Sequence, residues 1–480
     1  MNNPYRKSSH GGHDGPTDLP RKSVDSNGGP EAGSTGYRHS VDRRRGSSAG
    51  NAGMFSIPEY SSPASECDSS AGSGTQVDDR NRYFHSRRVK PGEVEKPWLE
   101  KTNPKEKWVT IFPILAIFLG LVGSGFLVWD GIRSVVKNKY CPVMDEDFSQ
   151  GLNPNIWTKE VEVGGYGNGQ FEETTGGDEN VYVDSGRLII KATLQDPKLM
   201  QKNNVINLLK TGTCTSKSWS NCVAATNLTA GNNSVIPPVR SGRINTKKGA
   251  NIKYGRVEVT AKLPEGDWLW PAIWMLPRRS IYGPWPKSGE IDIVESRGNN
   301  WTYKQGGNDI ISSALHWGPN PANDGWWKTN GKRKALHTTY SADFNMFGLE
   351  WSEKYLFTYV NTRLLQVTYT NFKKPMYKRG GFPDVDTNGT RLDDPWAAAD
   401  DVNAPFDQEF YLIINLAVGG TNGWFEDGKS GKPWYDNSPT AKKDFWDSRE
   451  EWYSTWKQPQ VEVSRVVMMQ QCNGNENLEL

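Results

Sequence analysis

The sequence predicts an all-β sandwich or jelly roll over residues 130–480, preceded by a disordered tail and one transmembrane helix. Three observations lead to this prediction. One apolar run interrupts an otherwise polar chain, a stretch rich in Ser, Gly, Arg, Asp and Asn comes before it, and short apolar or aromatic segments separated by turn residues follow it. Many short segments with regular turn signals are typical of the strands of a sandwich or jelly roll.

Residues 1–107 are predicted to form a disordered cytosolic tail. This segment has almost no periodic apolar pattern, so it cannot bury enough surface to offset the entropy of ordering. Its arginine clusters at 43–45 and 87–88 could carry a sorting signal or contact anionic lipid, but a solvated tail is favoured. The whole chain has a net charge of only +2, which gives no reason to expect a nucleic-acid partner.

Residues 108–129 are predicted to be an uncleaved transmembrane signal anchor that contacts membrane lipid. The run begins at Trp108, ends at Trp129 and contains no charged residue. About 22 helical residues span the roughly 30 Å hydrocarbon core of a bilayer, and the terminal tryptophans suit its two interfaces. A cleaved signal peptide would be shorter and nearer the N-terminus. A buried core helix is the less favoured alternative.

The flanking charges predict the orientation of this anchor. The 20 residues before the run hold six Lys or Arg, and the 20 after it hold three. The positive-inside rule therefore places the N-terminus in the cytosol. Residues 130–480 are predicted to lie in the lumen of the secretory pathway or at the cell surface, as in a single-pass type II membrane protein.

Cysteines and glycosylation signals agree with this topology. Cys67 lies on the predicted cytosolic side, and four cysteines, an even number, follow the anchor. Because disulfides form in oxidising compartments, we expect two bridges there. The spacing favours Cys214 with Cys222, which leaves Cys141 with Cys472, although sequence alone does not fix the connectivity. Acceptor triplets for N-glycosylation also fall after the anchor, at Asn227, Asn232, Asn300 and Asn388.

The residues after the anchor are predicted to form one domain without an internal repeat. Strand-like segments occur, for example, at 186–193, 254–263, 355–361 and 409–418. A short helix is expected between Asp444 and Trp456. About 340 residues is long for a bare sandwich, so substantial loops are implied.

One apolar segment, residues 288–296, carries three acidic residues. The isoleucines and valine between them predict a buried strand, where an unpaired carboxylate is costly. In a regular strand Glu290 and Asp292 share a face, and Glu295 points to the other. One extra residue around Ile293 and Val294, a β-bulge, would bring Glu295 to the same face as the other two.

Two interpretations of this strand are open at this point. Neighbours along one strand can supply the separation of about 5 to 5.5 Å between two carboxyl groups that retaining glycosidases require. The alternative is a charged edge strand that faces water.

Longer motifs resemble glycoside hydrolase family 16, in particular its branch of laminarinases and β-1,3-glucan recognition proteins. The motifs are YGRVEVTAKLPEGDWLWPAIWMLP (254–277), SGEIDIVESRGN (288–299), ALHWG (314–318), FGLEW (347–351) and LIINLAVGGTNGWF (412–425). Residues 432–456 are similar to the same branch, and the resemblance covers essentially residues 147–470. It implies a concanavalin A-like jelly roll of two antiparallel sheets with a cleft across one of them.

The resemblance also implies roles for individual residues. It makes Glu290 the nucleophile, Glu295 the acid/base and Asp292 the assisting carboxylate of a retaining mechanism. No cofactor is expected; some family members bind calcium, but no calcium ligands and no zinc-type Cys/His spacing can be identified in this sequence. Matches to family segments near the cleft imply substrate contacts at Trp270, Trp274, His316, Trp317, Arg243 and Asn168. For any one of the tryptophans, packing in the core is an equally open alternative, and His316 is expected to position other groups by hydrogen bonding rather than to act as a catalyst.

Two classes of function follow from the resemblance. The first is a retaining, endo-acting hydrolase or transglycosylase of β-1,3-linked glucan, of the endo-β-1,3(4)-glucanase type, which would remodel a glucan-containing cell wall. The second is a β-1,3-glucan-binding receptor without catalytic activity. The three acidic residues favour the enzyme, because family members that only recognise glucan have typically lost one or both catalytic glutamates. The chain's 20 tryptophans suit a polysaccharide cleft, since aromatic rings pack against the apolar faces of sugars.

Overall fold

The computed structural model describes residues 87–100, 103–134, 138–201, 203–228, 233–386 and 389–472. The predicted tail lies outside the described residues up to residue 86, and so do Cys67, Asn232 and Asn388. Contacts divide the chain into two units, Met1–Asn103 and Pro104–Leu480. The described part of the first unit contains one helical turn, Pro97–Glu100.

The predicted transmembrane segment lies within a 29-residue helix, Glu106–Ser134. The part of it from Glu106 to Arg133 is long and apolar enough to cross a membrane, and its side chains are exposed rather than packed in a core. The single proline within it, Pro113, lies in the first third of the helix. The membrane span and its orientation stay predictions.

Two eight-stranded antiparallel sheets form the body of the second unit. The sheet that carries the acidic segment is called the site sheet, and the other the back sheet. In order, the site sheet contains Asn330–Lys334, Ile310–His316, Glu290–Ser296, Leu269–Pro277, Phe410–Val418, Arg243–Asn245 and Thr158–Lys159, with Asn251–Ile252 also paired to Phe410–Val418. The back sheet contains Thr362–Asn371, Tyr355–Val360, Asn345–Trp351, Gly255–Lys262, Gln460–Cys472, Arg187–Lys191 and Val181–Asp184, with Lys139–Glu146 also paired to Gln460–Cys472.

The smaller elements lie in the connections between these strands. One small sheet contains Glu172–Thr174, Val239–Ser241 and Thr193–Leu194, and another pairs Val205–Asn207 with Val223–Ala225. The short helices and helical turns are Gly165–Gly167, Pro197–Met200, Trp219–Cys222, Pro321–Asn323, Trp326–Lys328, Met376–Gly380, Ala441–Asp447, Arg449–Trp452 and Tyr453–Thr455. The last three occupy the region of the expected helix, which the structure breaks into shorter turns.

The hydrophobic core lies between the two large sheets, as in a sandwich. Alternate residues of Gly255–Lys262 are buried, and the same period of two recurs in its neighbour Gln460–Cys472. Trp351 of the back sheet meets Phe410 of the site sheet edge to face, with ring centroids 5.5 Å apart. The all-β sandwich predicted from sequence is confirmed, and the four strand-like segments all contain strands.

Two disulfides brace this unit. The structure joins Cys141 to Cys472, 331 residues apart in sequence, and Cys214 to Cys222, eight residues apart. This is the pairing that the spacing favours. The first bond links the strands that hold the two ends of the described sandwich. The second closes a loop that packs against Val163.

Candidate active site

The acidic strand Glu290–Ser296 lies between Leu269–Pro277 and Ile310–His316. Against the first neighbour, Asp292 pairs with Trp274 and Val294 pairs with Ile273, so Ile293 is an extra residue. The register against the second neighbour shifts at the same point. The predicted β-bulge is therefore confirmed.

Because the bulge restores the alternation, the three acidic residues share one face of the site sheet. Asp292 lies opposite Trp274, and Glu295 lies opposite Ala272, two residues back on the same strand. Glu290 lies opposite His316 on the other neighbour. Antiparallel partners point to the same side of a sheet, so this face also carries the side chains of Trp274 and His316.

Buried contacts hold the bulge in place. Ile293 and Val294 are each 1% exposed and belong to the core between the sheets. The hydroxyl of Ser313, on the neighbouring strand, donates a hydrogen bond of 2.6 Å to the carbonyl oxygen of Ile293. A bulge disturbs the regular ladder, and here a side chain on the next strand supports the displaced carbonyl.

Glu290 receives a hydrogen bond from a tryptophan of the preceding loop. The indole Nε1 of Trp285 donates to Glu290 Oε2 at 2.7 Å. Burial and the nearby charge of Asp292 raise the pKa of Glu290 well above its usual value, whereas His316 and the Trp285 donor lower it. Gly289, just before the strand, has a φ of 81° that favours glycine.

A chain of two aspartates and a histidine lies beside Glu290. His316 Nε2 is 3.1 Å from Asp292 Oδ2, and His316 Nδ1 is 2.5 Å from Asp324 Oδ2. Burial alone would lower the pKa of His316, but Asp292, Asp324 and Glu290 together raise it well above its usual value. These contacts favour the protonated form of His316 beside the buried Asp292, which is 2% exposed.

Glu295 has its own indole donor. Trp270 Nε1 donates to Glu295 Oε1 at 3.0 Å. Burial and the charge of Asp292 raise the pKa of Glu295 to about 7, against the lowering effects of His316, Trp270 and Arg297. Each of the two glutamates thus accepts a hydrogen bond from a different tryptophan.

A second layer supports Trp270. Trp424 stacks on it with ring centroids 4.8 Å apart and an interplanar angle of 11°. The guanidinium of Arg297 lies 4.0 Å from the centroid of the Trp424 ring and also donates to the Trp424 carbonyl oxygen. This packing fixes the orientation of the indole that reaches Glu295.

Trp274 and Arg243 continue the same face toward the opposite edge of the sheet. Trp274 Nε1 donates to Asn415 Oδ1 at 2.7 Å. The Arg243 guanidinium lies 4.0 Å from the Tyr166 ring centroid and 4.8 Å from that of Trp274, and it pairs with Glu160 at 2.9 Å. Arg243 is only 7% exposed, so it supports the two rings and presents little surface of its own.

Asn168 and Trp317 occupy different environments from each other. Asn168 is half-buried, and its carbonyl oxygen accepts a hydrogen bond from the Thr421 amide at 3.0 Å, which ties its loop to the end of strand Phe410–Val418. Trp317 is fully buried, and its indole donates to Thr329 Oγ1 at 2.8 Å. The prediction that Trp317 contacts substrate is therefore wrong, because the residue after His316 points into the core.

Sequence reasoning missed four residues of this face: Trp285, Asp324, Trp326 and Trp424. Trp285 lies in the Pro-Trp-Pro turn directly before the acidic segment, and Trp424 lies within the motif at 412–425. The sequence positions of these two tryptophans could therefore have indicated that they lie near the site. Asp324 and Trp326 follow His316 by eight and ten residues in a loop without regular pattern. Their proximity to His316 depends on how that loop folds back.

Within the described residues, one group of side chains has donor atoms close enough to hold a metal ion. It consists of Glu290, Asp292 and His316, whose donor atoms lie within 4.8 Å of one another. An imidazole suits transition metals rather than calcium, which prefers oxygen ligands. The group is thus no candidate for the calcium site that some members of the resembled family contain. Whether this chain has a calcium site elsewhere stays untested.

A two-sheet sandwich that presents two half-buried glutamates, a buried aspartate and several tryptophans on one sheet face has the architecture of a glycoside hydrolase domain. A family model described as "Glycosyl hydrolases family 16" matches residues 202–405. The chain belongs to this family.

Relatives include proteins named for binding and proteins named for catalysis. A beta-1,3-glucan-binding protein from Penaeus monodon is 38% identical over 342 residues, which cover 69% of this chain and 88% of that protein. Glucan endo-1,3-beta-glucosidase A1 from Niallia circulans is 31% identical over 271 residues, 55% of this chain and 30% of that protein. Among solved structures, the laminarinase catalytic domain from Thermotoga petrophila is 22% identical, with a TM-score of 0.44, covering 70% of this chain and all of that chain.

Proposed function

We propose that the sandwich domain cleaves β-1,3-linked glucan by a retaining, endo-acting mechanism. The observation that carries this proposal is the bulge at Ile293, since it brings Glu290, Asp292 and Glu295 to one face of the site sheet. Two carboxyl groups on one face of a single strand suit the closely spaced pair that retaining glycosidases use. The family relationship supports the same chemistry.

In the proposed reaction, the Glu290 carboxylate attacks the anomeric carbon while Glu295 donates its proton to the leaving glycosidic oxygen. The glycosidic bond breaks and a glycosyl ester forms on Glu290. Glu295, now ionised, then takes a proton from water or a sugar hydroxyl as that oxygen attacks the anomeric carbon and releases Glu290. No cofactor is needed for either step.

The charge environment supports these roles. Both glutamates are half-buried near the buried Asp292, and mutual repulsion of close carboxylates favours a state in which the pair keeps one proton. Burial and Asp292 raise the pKa of Glu290 well above its usual value, and His316 and the Trp285 donor act against this rise, in the direction that a nucleophilic carboxylate needs. A pKa of about 7 keeps Glu295 largely protonated in mildly acidic solution.

The experiment is Glu290→Gln in the full chain, assayed for reducing-sugar release from laminarin. The variant removes the nucleophile but keeps its shape, so activity should fall by at least about three orders of magnitude while laminarin binding persists. The control is Glu450→Gln, whose side chain is 85% exposed on a short helix. Unchanged activity in Glu290→Gln would overturn the proposed mechanism.

The second candidate function is a glucan-binding receptor without catalysis. It is favoured by the name of the Penaeus monodon relative, a beta-1,3-glucan-binding protein that is 38% identical. Binding of laminarin by the wild-type chain without any release of reducing sugar would establish this alternative.

Hydrolysis and transfer share the same covalent intermediate, so the proposal covers both. Laminari-oligosaccharides of a single length, analysed by mass spectrometry after incubation, distinguish them. Products longer than the substrate indicate transfer, and only shorter products indicate hydrolysis. With the predicted type II anchor, either activity would suit the remodelling of a glucan-containing wall from the membrane side.

A further inference from the structure

His316 lies between two carboxylates, one at each ring nitrogen. Its Nδ1 is 2.5 Å from Asp324 Oδ2, and its Nε2 is 3.1 Å from Asp292 Oδ2. The other oxygen of Asp324 accepts hydrogen bonds from the amides of Trp317, at 3.1 Å, and Trp326, at 3.2 Å. These donors favour an ionised Asp324, which can only accept a hydrogen bond, so the Nδ1 proton of His316 points to it.

The contact between His316 Nε2 and Asp292 Oδ2 is of a different kind. The two atoms are 3.1 Å apart but are not aligned for a hydrogen bond, and Asp292 Oδ2 has no hydrogen-bond partner among the described residues. Asp292 is 2% exposed, and a buried acceptor without a hydrogen bond is costly. A cation placed between Nε2 and Oδ2 would satisfy both atoms.

The spacing of these atoms fits two ligands of one metal ion. Zinc lies about 2.1 Å from histidine nitrogens and carboxylate oxygens, so two ligand atoms 3.1 Å apart subtend about 95° at the ion, between the octahedral and tetrahedral angles. Glu290 supplies a third ligand, since the donor atoms of the three residues all lie within 4.8 Å of one another and its side chain can rotate closer. Trp285 donates to Glu290 Oε2 at 2.7 Å, which leaves Oε1 for a metal ion.

The surroundings of His316 resemble those that support a metal ligand. A histidine that binds a metal through one ring nitrogen commonly donates the N–H of the other to a carboxylate, which fixes the tautomer and the ring orientation. Asp324 makes this contact here. The rings of Trp285 and Trp326 lie beside the imidazole, with centroids 5.8 and 6.3 Å from its own. These contacts hold Nε2 toward the acidic strand.

We propose that His316 Nε2, Asp292 and Glu290 form a binding site for a divalent transition-metal ion, with Asp324 as the carboxylate that orients the histidine. Imidazole and carboxylate ligands together suit Zn²⁺, Ni²⁺ or Cu²⁺ rather than Ca²⁺. The ion replaces a proton on Nε2, which is released to solvent. A bound ion would occupy Glu290 and so inhibit cleavage reversibly. The inhibition rests on the proposed function, whereas the binding does not.

Binding is measured with the full chain, in buffer stripped of metal ions and without reductant, by calorimetric titration with Zn²⁺ and by the visible spectrum of bound Co²⁺. The chain also carries Cys67 and four histidines before residue 108, so the readout is a difference between variants. His316→Gln should bind one ion fewer than the wild type. Asp324→Asn should weaken the same site by roughly tenfold, because the histidine loses its orienting carboxylate.

The matched control is His337→Gln, which removes an exposed histidine of the sandwich and should leave Zn²⁺ binding unchanged. Glu290→Gln removes a ligand without altering His316 and should also weaken the site. It keeps the test decisive if His316→Gln does not fold. Zn²⁺ binding by Glu290→Gln and Asp324→Asn that equals that of the control would overturn the metal site.

Inhibition distinguishes this site from the proposed function. In an active chain, Zn²⁺ should slow reducing-sugar release from laminarin, and EDTA should restore the rate, whereas Ca²⁺ at the same concentration should have no effect. A chain that releases no sugar but binds Zn²⁺ through His316 would refute catalysis and leave the metal site intact. A chain that is active, and whose activity is unchanged by saturating Zn²⁺, would refute the metal site and leave catalysis intact.

Discussion

Ser313 Oγ lies 2.6 Å from the carbonyl oxygen of Ile293, the extra residue of the bulge in the acidic strand. Ser313 is fully buried, so this hydrogen bond is protected from water. It connects the position of Glu295 to a side chain on the neighbouring strand that does not face the site. The geometry of the carboxylates therefore depends on a residue outside the group that would contact substrate.

We predict that Ser313→Ala lowers both stability and activity. A buried carbonyl would lose its donor, which costs about 1–3 kcal/mol of unfolding free energy, and Glu295 would be held less firmly. The matched control is Ser296→Ala, which removes a similar but only partly buried bond, from Ser296 Oγ to the Ile310 carbonyl at 2.8 Å, outside the bulge. Urea unfolding and laminarin assays should show similar losses of stability but a larger fall in kcat for Ser313→Ala. Equal kcat values would contradict the role of the bulge.

Trp270→Phe should move the basic limb of the pH–activity profile to higher pH. Glu295 must be protonated for the first step, so activity is lost as pH rises through its pKa of about 7. The Trp270 donor favours the ionised form, and its removal raises the pKa, by about one unit or less. The measurement is kcat/KM against pH, with Trp219→Phe, an indole that is 67% exposed, as the control. A basic limb that stays in place or moves downward would contradict this assignment.

Replacing Cys141 and Cys472 with serine should lower the free energy of unfolding of the sandwich by about 2–5 kcal/mol. The bond closes a loop of 331 residues. Closing a long loop removes more conformational entropy from the unfolded chain than closing a short one, and so stabilises the folded state more. Replacing Cys214 and Cys222, which are eight residues apart, should cost less in the same urea titration. The reverse order would argue that strain or residual structure, rather than loop entropy, dominates.

Membrane topology is tested with the full chain inserted into microsomes. We predict that added protease removes the tail before residue 108 and leaves the domain after residue 129 intact. The exposed acceptors Asn227 and Asn300 should then carry glycans that a glycosidase removes, with Asn227→Gln and Asn300→Gln as the variants that identify each site. Protection of the tail together with digestion of the domain would reverse the predicted orientation.

The parts of the site that sequence could predict are those set by spacing along one strand. Alternation and the two residues between Asp292 and Glu295 predict the bulge, because an odd spacing of three needs an extra residue to place both carboxylates on one face. The parts that it missed come from loops. Asp324 reaches His316 through a loop whose path depends on contacts with distant residues, and no local pattern encodes that path.

The error at Trp317 has a simple physical cause. His316 and Trp317 are adjacent, and adjacent side chains of an extended segment point to opposite faces. A motif that places His316 in the site therefore places Trp317 in the core, where it meets Trp396 and Phe382. The resemblance identified the right segment, but strand geometry decides which of its residues can reach a ligand.

The bond between Cys141 and Cys472 also determines how the domain would respond to mechanical tension. A pull on the chain before Lys139 would reach the strand Lys139–Glu146 at the end where it pairs with Cys472. Without the bond, such a pull would peel this strand from Gln460–Cys472 one pair at a time. With it, the force passes through a covalent link into both strands together, so their hydrogen bonds resist as a group. With the predicted anchor at the N-terminus, a glucan fibre bound as proposed would load this link before it loaded the strand pairs from Pro142 to Glu146.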